Sequence, residues 1–251
     1  MSKVIAVFGA GTGLGASVAR RFGREGFRVA LVARRKQRLE TLVAQLADEG
    51  IAAVAFPADL SEPAEVPALV EAIRDRFGRI DVVEYGPFGG TQSFVPAVAL
   101  DAATLENLSK LFLLTPVEVF HAVLPEMRER GDGAVLMTTG YSAVQPMAHL
   151  SGPGPVMSAA RNYLYSLNAE LADTGVYAGT LTIAALIAGS ESAATSTAPA
   201  DAPADADVAG PAIPTVHPDQ LAEHYWDMYT RRDRVELAHP VELTPQASAA
   251  A

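Results

Sequence analysis

The 251-residue sequence contains no cysteine. Disulfides, a thiolate nucleophile and thiolate metal ligands are excluded, no metal site is expected, and the chain fits the cytoplasm. Lysine is scarce as well: of 19 basic residues only Lys3, Lys36 and Lys110 are lysine, and arginine supplies the rest. Long apolar runs are missing. The longest, around 178–188, is broken by glycine and threonine, so no membrane span and no membrane partner are expected. The N-terminus runs straight into a strand-like segment, without the basic head, long apolar stretch and cleavage site of a signal peptide. Basic charge is in deficit: the formal net charge of −10 lacks the basic face that a nucleic-acid footprint needs.

What is present is a regular alternation. Hydrophobic residues make up 49% and charged residues 19%, which suits a chain with a sizeable core. Short β-branched runs, "KVIAVFGA", "FRVALVAR", "AAVAFPAD" and "IDVVEYG", are each followed by residues with helical spacing. A long helical stretch from Leu105 to Arg128 then leads to a fifth strand, "GAVLMTTG". A further helix, "PVMSAARNYLYSLNAEL", precedes a sixth, "YAGTLTIAAL". The repeated βαβ pattern predicts an α/β fold with a doubly wound parallel sheet, a Rossmann-type three-layer single domain over 1–251. Its ligand crevice is expected at the strand C-termini. From 189 to 215 the composition turns to Ala, Pro, Asp, Ser and Thr, which predicts a mobile loop, either a lid over the crevice or a plain insertion. Order is expected to return at "HPDQLAEHYWDMYTRRDRVEL", a helix and a short last strand.

"FGAGTGLG" joins the first strand to the first helix. It does not fit G-x-G-x-x-G, because the third glycine would fall on Leu14 or Ala16. It fits G-x-x-x-G-x-G through Gly9, Gly13 and Gly15. Such glycines let the backbone turn tightly or approach a phosphate, and the helix N–H groups then face a pyrophosphate. At the first βα junction of a doubly wound pattern the loop reads as a nucleotide site, with Gly9, Gly11, Thr12, Gly13, Leu14 and Gly15 as its contacts. After strand two, an NAD site wants a carboxylate for the ribose hydroxyls, whereas the 2′-phosphate of NADP wants cations. "ARRKQR" offers Arg34, Arg35 and Lys36 and no acid. A solvated helix start is the alternative, but a basic triplet opposes the dipole at a helix N-terminus. The balance favours NADP(H).

With this loop, with "ADL" (Ala58–Leu60) after strand three, "LPEM" (Leu124–Met127) before strand five and "NAEL" (Asn168–Leu171) closing the next helix, the chain resembles the short-chain dehydrogenase/reductase family. The likeness runs from about Lys3 to Ile187, then weakly through "HPDQLAEHYW". It implies that Asp59 hydrogen-bonds the adenine with Leu60 packed beside it, and that Glu84, Tyr85 and Gly86 lie near the nicotinamide ribose. Asp59 has a second reading as a cap ahead of "SEPAEV". The family pairs subunits through two long helices, here Leu105 to Arg128 and Val156 to Leu171, which implies a homodimer or homotetramer.

The family's chemistry uses a tyrosine that exchanges a proton with the substrate, a lysine four residues later, a serine and an asparagine. A tyrosine near its ordinary pKa of about 10 is a poor acid–base catalyst at neutral pH without a cation beside it. None of the seven tyrosines here has a lysine four residues on. Counting from "NAEL" puts Pro153 at the tyrosine position and Met157 at the lysine position. Counting along strand five puts Gly140 at the serine position, and "LPEM" puts Phe112 at the asparagine position. The chain therefore reads as an atypical member without the four catalytic groups. Tyr141, Ser142 and His149 are the candidate replacements; Ser151, Glu84 and Arg161, which could carry a cation back toward the ribose, lie in the same region. Each also has a packing or surface reading. Tyr163 and Tyr165 read as packing residues, and "TRRDR" (Thr230–Arg234) as either an anion site or a helix C-terminus.

Three functions fit these residues. The first is an NADP(H)-dependent oxidoreductase acting on a small-molecule carbonyl, alcohol or related group with substituted proton transfer. The second is an NADP(H)-binding protein without turnover, a sensor or structural partner. The third is a non-redox lyase, isomerase or cyclase on the same scaffold. The first leads, since hydride transfer belongs to the cofactor and the protein must position and protonate.

Overall fold

Val4–Phe8 is buried along its whole length and forms β1, an inner strand of the sheet. The computed structural model describes residues 2–88, 94–146, 148, 151–190 and 214–244. After β1 come α1 (Leu14–Arg24), β2 (Arg28–Ala33), α2 (Lys36–Asp48), β3 (Ala53–Pro57), α3 (Val66–Phe77) and β4 (Val82–Tyr85). The second half contains α4 (Ala102–Ser109), α5 (Thr115–Arg130), β5 (Gly133–Gly140), α6 (Pro153–Glu170) and β6 (Val176–Ile183). A short pair, β7 (Leu186–Ile187) and β8 (Thr215–Val216), precedes α7 (Pro218–Arg231) and β9 (Glu236–His239). Seven strands form one parallel sheet in the order β3-β2-β1-β4-β5-β6-β9. The order reverses between β1 and β4, which opens a crevice at their C-terminal ends.

Strand side chains alternate between two layers, as a period of two requires. Ile5, Val7, Val29 and Leu31 pack with α1, α2 and α7 on one face. Val4, Ala6, Phe8, Ala30 and Val32 pack with α3, α5 and α6 on the other. Both faces are covered, so β1 and the run Val29–Val32 of β2 are apolar in every register, as in buried parallel sheets.

One expectation, that no apolar run reaches the length of a membrane span, is corrected. The helical stretch predicted from Leu105 to Arg128 is present and contains a π-helical turn, Lys110–Leu114. Pro116, in the first turn of α5, has no N–H to give the carbonyl four residues back, and the wider turn absorbs that loss. The run Ala102–Arg130 is also long and apolar enough, by length and composition alone, to cross a bilayer. Its apolarity has a local cause, because Val119, Phe120, Val123 and Met127 are buried in the core. The predicted loop at 189–215 is anchored at both ends: Leu186 N–H donates to Pro214 O (2.8 Å) and Ala188 N–H to Val216 O (2.9 Å). The parallel β7–β8 pair clasps the two ends together; 191–213 lie outside the described residues.

Candidate cofactor and active site

Gly9 ends β1 with φ +103°, and a Cβ there would stand 2.5 Å from Pro87 N. The turn after β1 thus presses directly on the chain leaving β4. Gly9 and Ala10 N–H both donate to Val32 O, at 2.9 and 3.0 Å, which fixes the turn between β1 and β2. A Cβ on Gly15 would meet Ala10 Cα and Gly9 O at 2.8 Å, so α1 can begin this close to the turn only with glycine there. A Cβ on Gly11 would meet Gly9 O at 3.9 Å, an ordinary contact. Gly13 caps α1 without any side-chain hydrogen bond, and the first turn of α1 holds no acid. A helix start with a bare backbone cap offers its N–H groups to an anion. Thr12 Oγ1 donates to Gly189 O (3.1 Å), and Gly13 lies against Ser190, so the clasped segment borders the glycine turn. A cleft of about 600 Å³ runs beside it, lined by Gly11, Thr12, Arg38, Thr41, Gln45 and Ser190 among others.

Arg34, Arg35 and Lys36 are exposed where β2 passes into α2, whose first turn has no acid. Asp59 lies close enough to Arg34 to feel its charge. Hydrogen bonds from Ser61 N–H (3.0 Å) and Ser61 Oγ (2.7 Å), and then Arg34, hold its carboxyl below the ordinary range. Both Ser61 bonds end on Oδ1 and close a local turn rather than a helix cap, since the next 3₁₀ turn and α3 start from Glu62 and Glu65 without a side-chain cap bond. Leu60 is buried, and its carbonyl accepts from Thr115 Oγ1 (2.8 Å). Tyr85 is fully buried and donates its hydroxyl to Leu111 O (2.5 Å), so its side chain faces the α5 layer. At this strand end it is the backbone of Gly86 that meets the glycine turn.

Of the four positions that counting aligns with the family's catalytic groups, Phe112 and Met157 share an apolar cluster and Gly140 touches Met157. Phe112, in the π turn, is 1% exposed and joins Ala143, Val156 and Met157. Met157 Sδ accepts the Gly140 N–H at 3.3 Å. Pro153 is buried as the first residue of α6, after Gly152 with φ +91°. A side chain added at Gly140 would point between Met157 Sδ (3.6 Å) and Ser142 Oγ (3.7 Å). The Ser142 hydroxyl therefore borders the space that a side chain at Gly140 would fill. Tyr141 and Ser142 open a 3₁₀ turn directly after β5, both half-buried. His149 lies outside the described residues.

Arg161 does not reach back toward the crevice. Its guanidinium donates to Glu236 Oε2 from Nε (2.8 Å) and Nη2 (2.5 Å), and Tyr165 OH donates to the same oxygen (2.5 Å). A buried carboxylate on β9 captures the cation. Tyr163 stacks on Phe120, with ring centroids 6.5 Å apart. The arginines of "TRRDR" are paired with acids: Arg231 with Asp227, Arg232 with Asp132 and Arg234 with Asp233.

Glu84, expected beside the nicotinamide ribose, is instead buried in a polar group whose other members, Thr138 and Tyr225, sequence reasoning missed. Glu84, 1% exposed on β4, accepts from Thr138 Oγ1 of β5 at 3.1 Å. Thr138 Oγ1 is also 2.6 Å from the hydroxyl of Tyr225, fully buried on α7. Burial drives the Glu84 carboxyl up from 4.5 to about 8, against a smaller lowering by Thr138. An acid inside the apolar run "VVEY" was the available signal; its partners were not readable.

The sequence matches the short-chain dehydrogenase family over residues 3–195, and the chain belongs to that family. It is 28% identical over 179 residues to sulfoacetaldehyde reductase 2 of Chromohalobacter salexigens, covering 70% of this chain and 69% of that one. It is 33% identical over 146 residues to D-threitol dehydrogenase of Mycolicibacterium smegmatis, covering 56% of this chain and 54% of the relative. Matches to curated relatives span 51% to 74% of those proteins' own lengths. The fold is similar to that of L-sorbose reductase from Gluconobacter frateurii complexed with NADPH and L-sorbose, with TM-score 0.77, 23% identity and 92% and 90% of the two chains covered. It is similar also to a metagenomic short-chain oxidoreductase in complex with NADP, with TM-score 0.75, 21% identity and 95% and 97% covered.

Proposed function

We propose that this chain is an atypical NADP(H)-dependent oxidoreductase of its family, one that moves the substrate's proton without the family's tyrosine–lysine pair. The closed glycine turn, the bare N-cap of α1 and the exposed Arg34–Arg35–Lys36 start of α2 fit a dinucleotide with a 2′-phosphate. NADP(H), when bound, supplies the hydride chemistry. The chain's own part is to hold the phosphates at the Gly9–Gly15 turn and to exclude water with the Phe112–Met157 cluster. Ser142, which borders the space that a side chain at Gly140 would fill, hydrogen-bonds the substrate oxygen, and Tyr141 supplies the proton at the end of β5. The observation that carries this reading is the coexistence of a complete cofactor turn with an apolar floor at Gly140 and Met157.

That same floor favours a second reading, cofactor binding without turnover. One experiment separates the two. Titration with NADPH and NADH by nicotinamide fluorescence should give tighter binding of NADPH, and exchanging Arg34 and Arg35 for alanine should remove about tenfold or more of that preference. NADPH oxidation against a panel of small carbonyl compounds should then depend on Ser142 and Tyr141. Binding without turnover selects the second reading, and failure to bind either nucleotide overturns both. The expected setting is the cytoplasm, and the expected assembly is a homodimer or homotetramer through α5 and α6, read by light scattering.

A further inference from the structure

Directly beneath the contact between Gly9 and Gly86 lies a buried acid that the proposed reaction does not use. A Cβ on Gly86 would collide with Glu84 Oε1 and would stand 2.6 Å from Thr138 Oγ1. Gly86 in turn lies against Gly9, whose own missing Cβ would sit 2.8 Å from Gly86 C. The carboxyl is therefore separated from the glycine turn by one residue without a side chain. Three elements supply this cluster: Glu84 from β4, Thr138 from β5 and Tyr225 from α7.

We propose that Glu84 is a positioning residue of the cofactor site, held neutral beneath the glycine turn, and that its ionisation weakens the grip on NADPH. This rests on the cofactor reading above. No ion pair to Glu84 occurs among the described residues, so nothing there offsets a charge on it. Val7 of β1 and Leu136 of β5 flank it in register. The titratable groups that face it are Tyr225 of α7 and, behind that ring, Tyr177 of β6. Burial pushes both phenols up, so both stay neutral where Glu84 titrates. Raised from 4.5 to about 8, the carboxyl is mostly neutral at pH 7 and mostly charged at pH 9. An anion there would repel the phosphates that the Gly9–Gly15 turn would hold and would demand solvation that the site does not supply.

The test is NADPH affinity, by fluorescence titration at pH 7 and pH 9, for the wild type, Glu84→Gln and Thr138→Val. Wild-type affinity should fall about tenfold between the two pH values. Glu84→Gln should hold its pH 7 affinity at pH 9. Thr138→Val removes the hydroxyl that favours the charged form and should move the fall to higher pH. A fall that Glu84→Gln shares, or no fall in the wild type, overturns this inference and leaves the cofactor reading standing. No binding by the wild type at pH 7 overturns both. Should Glu84→Gln fail to fold, infrared spectra of the wild type decide the matter: a protonated-carboxyl band must be present at pH 7 and must vanish over the interval in which affinity falls. Its absence at pH 7 sinks the proposal.

Discussion

A carboxylic acid inside an apolar strand favours folding while it is neutral and opposes it once it must charge. For Glu84 the folded pKa, about 8, exceeds the ordinary 4.5 of the unfolded chain. Its contribution to stability is thus fully present below about pH 4.5 and is lost as pH rises through 8. Glu84→Gln, which has no such titration, should gain about 3 kcal/mol more over the wild type at pH 7.5 than at pH 5. Urea denaturation at the two pH values measures this; an equal gain at both would contradict the assignment. The glycines of the turn behave differently at this scale. Gly9 and Gly15 were readable from spacing, and the structure gives their reason in the absence of room for a Cβ. Met157 and Gly140 were readable as losses only; that the Met157 thioether accepts the Gly140 N–H depends on the rotamer of a side chain 17 residues away.

Helix α6 begins with two prolines and carries one of the chain's buried ion pairs. Its start, with Pro153 and Pro155 in the first turn, suits a rigid N-terminus that has no donor to lose. Further along, Arg161 and Tyr165, one turn apart, both reach Glu236 on β9, and Glu236 also accepts from Thr182 Oγ1 (2.5 Å). Thr182 bonds Thr139 Oγ1 (2.8 Å), so a polar chain crosses three strands beneath the helix. Arg161→Ala leaves that carboxylate, 1% exposed, without its cation. The predicted loss is about 3 kcal/mol in unfolding free energy, with Arg161→Lys recovering part of it. A loss under about 0.5 kcal/mol in urea denaturation would show the pair to act as a surface contact. The helix itself was legible from its apolar period. The direction of Arg161 was not, because β9 follows it by 75 residues and becomes its neighbour only through the strand order.

Across the whole molecule, alternation of strand and helix patterns was enough to foresee the parallel sheet and its crevice, since β1 and β2 are apolar on both sides. What escaped the sequence is the set of contacts made by elements distant in the chain: Tyr225 with Thr138, Arg161 with Glu236, and the β7–β8 clasp. Polar residues carry no periodic signature of their partners. The charge distribution has a further consequence. A chain of formal net charge −10 repels a nucleotide phosphate at long range, yet the start of α2 presents Arg34, Arg35 and Lys36 together with no acid in its first turn. Dissolved ions shorten the reach of both fields, and the nearer, smaller one guides capture only within a Debye length of about 8 Å at physiological ionic strength. Stopped-flow mixing should therefore find the NADPH association rate falling as salt is added, more steeply than that of NADH, which carries no 2′-phosphate for the island to draw in. Parallel salt slopes for the two nucleotides would show that the island has no part in capture. Diffusion toward this protein is then selective before any hydrogen bond has formed.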